Sequence, residues 1–185
     1  MDRADRDLDL DLAVELVNTY WVLASPPDRL TDVGAYQQIL RDADEDALAG
    51  QLGPGDLAEL RALRDEIKPV FAAESAAAAV AVLDSLLRDA AIPARLTAED
   101  GAVRWDWGAG QRGMPALRAR LLTALSAQLI RHGTVRTGVC QADPCTCVYV
   151  DRSRARTRRY CCDQCNDRAA ASAYRRRVSP DPLTS

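Results

Sequence analysis

Four cysteines near the C-terminal end constrain this chain more than any other feature. They stand as two short pairs, Cys140 with Cys145 and Cys161 with Cys165, and residues 146–160 separate them. A tetrahedral ion held ~2.3 Å from each sulfur needs two close pairs, each on a tight turn, brought together by the fold. Sites of this kind usually separate their pairs by roughly 15–20 residues, a length that 146–160 supplies. Each pair is wider than the commonest two-residue gap; a turn at Pro144 and the start of a helix can each span the difference. Two disulfides are the competing reading, but they suit secreted chains, and the N-terminus, Met1-Asp-Arg-Ala-Asp-Arg-Asp, is charged and unlike an export signal. The expectation is one structural zinc ion in a reducing cytoplasm.

Two further cysteines lie beside these four. Cys147 could replace Cys145, and Cys162 could replace Cys161. The longer connector counted from Cys145 suits a hairpin better, which leaves Cys147 and Cys162 as buried or half-buried thiols. Within the connector, Val148-Tyr-Val150 are β-formers, Asp151-Arg-Ser153 reads as a turn, and Arg158-Arg-Tyr160 leads back. Asn166 to Arg177 is rich in alanine and arginine without Gly or Pro, so a helix is expected. Its first turn would carry the last ligands, where amide dipoles favour thiolate. A knuckle, a hairpin and a helix make a treble-clef-like module.

Charge divides along the same line. Residues 131–177 hold eleven Arg against four Asp, or +7, while the other residues hold 13 basic and 23 acidic groups, or −10. Four thiolates and one dication would bring the module to +5. Such asymmetry points to an anionic partner, or to attraction between the acidic body and the module itself.

The preceding residues read as a helical body with one hairpin. A helix is expected from about Asp11 to Leu23, stopped by Ser25-Pro-Pro-Asp28. Glu15 and Asn18 share one face of it, either as an internal network or as part of a small-ligand pocket. A second helix follows a cap at Thr31 or Asp32 and runs through Leu40. A long one opens at Asp56 with Glu59 in the capping-box position, to be kinked or divided by Pro69. Residues 94–107 form a hairpin about Asp100-Gly101. Pairing outward sets Ala98 against Val103, Leu96 against Trp105 and Ala94 against Trp107, all on one face, which should cover a helix layer with its tryptophans in the core. Met114-Pro115 starts the last body helix, with Leu117, Leu121, Leu125 and Leu129 inward and His132, the one histidine, in its final turn. The class is therefore α+β: a mainly helical body over 1–134 with a hairpin at 94–107, a zinc module over 135–178, and a tail over 179–185 expected to be disordered. No apolar run approaches the roughly 20 residues that span a bilayer.

The run Cys140-x4-Cys145-x2-Val148-Tyr149-Val150-Asp151-x-Ser153, continued by Arg158-Arg159-Tyr160-Cys161-x3-Cys165-Asn166-Asp167-Arg168 and Tyr174-Arg175-Arg176-Arg177, resembles a CGNR-type zinc finger. The name-giving Cys-Gly-Asn-Arg stands here as Cys165-Asn166-Asp167-Arg168, with Cys and Arg kept and the central pair replaced; Tyr160 sits where Trp is common. In that family the finger follows an ABATE domain, whose opening motif Leu12-Ala-Val-Glu15-Leu-Val-Asn18-Thr19 resembles, with Glu15 where Asp is commoner. The resemblance implies a bacterial, stress-related transcription regulator.

Function follows from the site chemistry. The sequence carries no nucleophile–base constellation and no phosphate-binding glycine loop, and an all-cysteine zinc site has no open coordination position. Catalysis is thus disfavoured. The leading expectation is DNA binding by Arg152, Arg154, Arg156, Arg168, Arg175 and Arg176, since arginine contacts phosphate bidentately and reads guanine edges. If ~5 of them meet phosphates, log K falls with log salt at a slope near −4.5. The alternative is a protein-interaction module without nucleic-acid binding. A body that binds a small-molecule effector through Glu15 and Asn18 is compatible with either.

Overall fold

The computed structural model describes residues 8–99 and 101–178; the tail expected to be disordered, 179–185, and the hairpin-turn residue Asp100 lie outside them. Among the described residues, seven helices and two small antiparallel sheets follow one another as α1 (Leu8–Asn18), α2 (Val33–Asp42), α3 (Asp46–Ala49), α4 (Leu57–Ala72), α5 (Ala76–Ala90), β1 (Ala94–Glu99), β2 (Ala102–Trp107), α6 (Gly113–His132), β3 (Thr137–Val139), β4 (Val148–Val150) and α7 (Asp163–Val178). Helix α1 packs on α4 and α6, and α5 covers the same two. The interior is mainly aliphatic. Leu16, Leu30, Leu60, Leu63, Ile67, Leu117 and Leu121 are wholly buried, with Tyr36 and Phe71 the largest buried rings.

Helix α1 ends five residues earlier than its apolar sequence suggests. Thr19 Oγ1 donates to the Leu16 carbonyl, and the chain turns into a loop closed by the Tyr20–Asp28 bridge and the Trp21 N–H to Pro27 carbonyl bond. Arg64, buried on α4, holds this loop. It donates to Asp28 at 2.7 Å and to Thr19 Oγ1 at 3.4 Å, and its guanidinium lies 5.7 Å from the Tyr20 ring centre. A buried cation of this kind is tolerable because it is paired and hydrogen-bonded.

Three other expectations are corrected. Asp56 stands at the N-cap of α4 but its side chain makes no cap bond to that helix; its carboxylate instead accepts the Gly53 N–H at 2.8 Å, closing a 3-10 turn over Pro54–Asp56. Pro69 does not divide α4, which runs from Leu57 to Ala72 with the proline exposed on its surface. The β1–β2 register is the expected one, Leu96 opposite Trp105 and Ala98 opposite Val103, yet its apolar face is left largely in water. Leu96, Val103, Trp105 and Trp107 are 62, 71, 58 and 45 % exposed. Pairing is local and set by the turn, whereas docking of a face depends on the helices at hand, and these bury their apolar stripes on one another.

The second sheet also departs from expectation. Strand β4 does not pair with residues 158–160. It pairs with β3, ahead of the first cysteine pair, through Thr137–Val150, Gly138–Tyr149 and Val139–Val148. Gly138 makes this possible, because a Cβ there would sit 2.7 Å from the Tyr149 hydroxyl. Val148 and Val150 are buried in the same core as the helical body, and the sheet packs on α1 and α4. Asn18, the last residue of α1, clamps the junction: its Nδ2 donates to the Val148 carbonyl at 3.0 Å and its Oδ1 accepts the Val148 N–H at 2.8 Å. One side-chain amide thus extends the β-ladder by a rung.

Asn18→Ala strips both partners from a buried backbone pair and is expected to destabilise the zinc-loaded protein by about 2 to 3 kcal/mol. Urea unfolding of wild type should be a single transition, with tryptophan fluorescence and zinc release coinciding, because body and module share one core.

Candidate metal centre and basic surface

The first cysteine pair sits on a knuckle between β3 and β4. The Cys140 N–H donates to the Cys147 carbonyl and the Cys145 N–H to the Ala142 carbonyl, both at 2.8 Å, which folds residues 140–147 into a tight loop with its sulfurs inward. The second pair straddles the start of α7, where Cys161 precedes the helix and Cys165 lies in its first turn. The connector is drawn back over the knuckle by the Gln141 N–H to Arg159 carbonyl bond at 2.9 Å.

The result brings the sulfurs of Cys140, Cys145, Cys161 and Cys165 within 4.8 Å of one another. Cys145 and Cys161 sulfurs are 3.8 Å apart, and those of Cys161 and Cys165 3.5 Å. A tetrahedral ion ~2.3 Å from each sulfur implies separations of about 3.8 Å, so the four fit zinc. Burial pushes the Cys165 thiol up to about 12 and raises Cys161 as well, whereas at Cys145 burial is outweighed by hydrogen bonds from Cys147, Cys161 and Cys165, which lower it. A bound dication favours the thiolate form of all four. Cys147 is buried beside the cluster and Cys162 exposed outside it; neither belongs to the four.

A second layer encloses the sulfurs. Trp21, from the loop after α1, packs against the cluster with Tyr160 and Ala169. Arg168 donates through Nη2 to the Cys165 sulfur at 3.3 Å and to the Ala142 carbonyl at 3.1 Å. The two residues that this chain keeps of Cys-Gly-Asn-Arg are therefore the two that touch. A guanidinium one helical turn after a ligand offsets thiolate charge and ties α7 to the first knuckle.

The expected nucleic-acid-binding residues divide into three kinds. Arg168 is half-buried and turned toward the metal centre. Arg152 is exposed and paired with Asp11 of α1 at 2.7 Å. Arg154, Arg156, Arg175 and Arg176 are exposed, with no side-chain partner among the described residues. Arg175, seven residues after Arg168, shares its side of α7, whereas Arg177, eleven after Asn166, returns to the side of Asn166. That side borders an open groove of about 720 Å³ at the first turn of α7, lined by Arg152, Arg158, Arg159 and Asn166 and also by the carboxylates of Asp151 and Asp163. Arg158 is fixed over the Tyr149 ring at 5.5 Å and donates to the Tyr160 carbonyl; Arg159 donates to Gln141 at 2.8 Å. Burial works to raise the Asp151 carboxyl, but donors from Ser153 and Arg158 hold it below the usual range, anionic and anchoring the loop. The sequence reading did not assign Arg158, Arg159 and Arg177 to this surface. Proximity of 158 and 159 to the second cysteine pair was the signal that could have found them.

Glu15 and Asn18 both line a second groove of about 230 Å³, with Thr19, Arg29, Gln38 and Asp42. Packing around the Glu15 carboxyl, then the Asp11 carboxylate, raise its pKa against the opposing pull of Arg29.

Residues 10–134 match the model of the ABATE family, described as "Putative stress-induced transcription regulator", and residues 136–178 match the CGNR zinc finger. Among curated proteins nothing matches the chain. The finger match and the four-sulfur cluster together support one structural zinc ion.

Replacing any of Cys140, Cys145, Cys161 or Cys165 by Ser should drop zinc below one ion per chain, while Cys147→Ala and Cys162→Ser should retain it. Arg168→Gln should keep the stoichiometry and weaken zinc affinity roughly 10- to 100-fold, read by competition with a chromophoric chelator.

Proposed function

Because the chain belongs to the ABATE family and ends in a CGNR zinc finger, we propose that it is a zinc-dependent regulator that binds DNA through the arginine-rich side of its finger. The observation that carries this reading is the open groove at the start of α7, bordered by Arg152, Arg158 and Arg159. Zinc, Asp151 and the Tyr149 ring hold the backbone beneath it. Preordered guanidinium groups lose little freedom on meeting phosphate. Arg154 and Arg156 on the same loop, and Arg175 and Arg176 along the helix, have no side-chain partner among the described residues, so their charge is available to an anion.

The N-terminal domain, on this reading, senses a small ligand in the groove of Glu15 and Asn18. Asn18 lines that groove and also clamps Val148 at the base of the finger. A ligand that draws on the Asn18 amide would compete with the Val148 backbone for it, so binding would bear directly on how the finger is held.

Retention of a duplex pool by the zinc-loaded protein should weaken with salt. A slope of log K on log salt near −3.6 is expected if four free arginines each neutralise a phosphate. Changing both Arg154 and Arg156 to Ala should reduce its magnitude by about 1.8. No retention even at low salt would remove the DNA reading and leave the protein-interaction alternative. For the sensing half, Gln38→Trp fills the groove and should change DNA affinity about 5-fold or more with zinc content unaltered. An unchanged affinity, with unchanged hydrogen exchange at the Val148 amide, refutes the coupling.

A further inference from the structure

We propose that the chain forms a two-fold homodimer in which the apolar faces of the two β1–β2 hairpins pack against each other. The hairpin is a two-stranded sheet with no third strand on either edge among the described residues. Its register places Ala94, Leu96, Ala98, Val103, Trp105 and Trp107 on one face. Trp105 and Trp107 stack on each other, ring centres 5.3 Å apart, and still leave about half their surface in water. A lone two-stranded ribbon is marginal in water, and gains stability when one face is covered. The body does not cover this one, although Gly108 packs its base against Ala119 of α6.

The chemistry of the face indicates what covers it. It carries no charged residue, and Arg95 and Asp106 stand on the opposite side, both exposed. An uncharged ribbon face can be buried by a second copy with no like charges opposed, the indole N–H groups of Trp105 and Trp107 being the polar side-chain atoms on it. Leu96, Val103, Trp105 and Trp107 expose on the order of 450 Å² together, taking about 150–250 Å² for each side chain fully exposed. Two such faces, with Ala94, Ala98 and the rim, reach roughly the 1,000 Å² expected of a specific interface at the small end of the range. Facing sheets pack about 10 Å apart, a distance the interleaved tryptophans fill. A small interface of this kind implies a dimer in the micromolar range, present or absent according to protein concentration. The proposal stands independently of what the finger binds.

Sedimentation equilibrium of the zinc-loaded full chain, from about 1 to 100 µM to span that range, tests it. The expected result is a mass that doubles with concentration, together with a blue shift of tryptophan emission as Trp105 and Trp107 leave water. Val103→Asp and, separately, Trp105→Ser should each keep the zinc content and far-UV spectrum of wild type and stay monomeric across the range. Because the wild-type mass is measured alone, the test does not depend on either variant folding. A wild type that remains monomeric throughout overturns the proposal, even if the hairpin captures another protein. So does a dimer of unchanged strength in a folded Val103→Asp.

Discussion

Four sulfurs within 4.8 Å of one another, three of them on buried cysteines, cannot all be thiolates without a cation among them. That constraint organises the C-terminal quarter of the chain. Neither pair sits in enough apolar surroundings to fold 137–178 on its own: β3 and β4 are three residues each, and α7 is mostly exposed. Closing the site joins the knuckle to the first turn of α7. It also sets Arg168 against Cys165 and Ala142 and draws Trp21 over the cluster. Ion binding and folding of this segment are one free-energy change.

The finger is built into the body rather than tethered to it. Val148 and Val150 complete the helical core, Asn18 closes the ladder on β4, and Arg152 reaches Asp11. Elsewhere the body is tied by Arg120, which bridges Asp9 of α1 and Glu45 ahead of α3, and by the Tyr36 hydroxyl on the Leu12 carbonyl. These bonds converge on α1. A disturbance along that helix therefore reaches the finger directly, through Asn18 on Val148 and Asp11 on Arg152, without any long pathway of contacts.

Charge separation in the sequence corresponds to separation in space only in part. Arg168 faces inward to the sulfurs, Arg152 pairs with Asp11 of the body, Arg158 and Arg159 line the groove at α7 with donors already engaged, and Arg154, Arg156, Arg175 and Arg176 stand exposed. Counting guanidinium groups by position in the chain treats these alike. What an arginine can do for an external anion depends on how many of its donors the fold has already used.

Much was legible beforehand because it is local. The ligand set followed from spacing, the β1–β2 register from a two-residue turn, and the α2 cap, at Asp32 of the two candidates Thr31 and Asp32, from residue type. The errors share a cause. The end of α1 was hidden because residues 19–24 are apolar enough to continue a helix, and only Arg64 and Asp28, distant in sequence, decide that they form a loop. The partner of β4 was missed because the connector between the cysteine pairs invited a local hairpin, while Gly138 gave the Tyr149 ring its place from the other side of the knuckle. By itself, then, the sequence determined the metal chemistry, the helical class and the basic character of the end, since these depend on residue type and short spacings. Only the tertiary structure decided which strand meets which, which arginines face outward, and that the tryptophan hairpin stands uncovered. Those outcomes rest on competition among distant surfaces for burial, which no local pattern encodes.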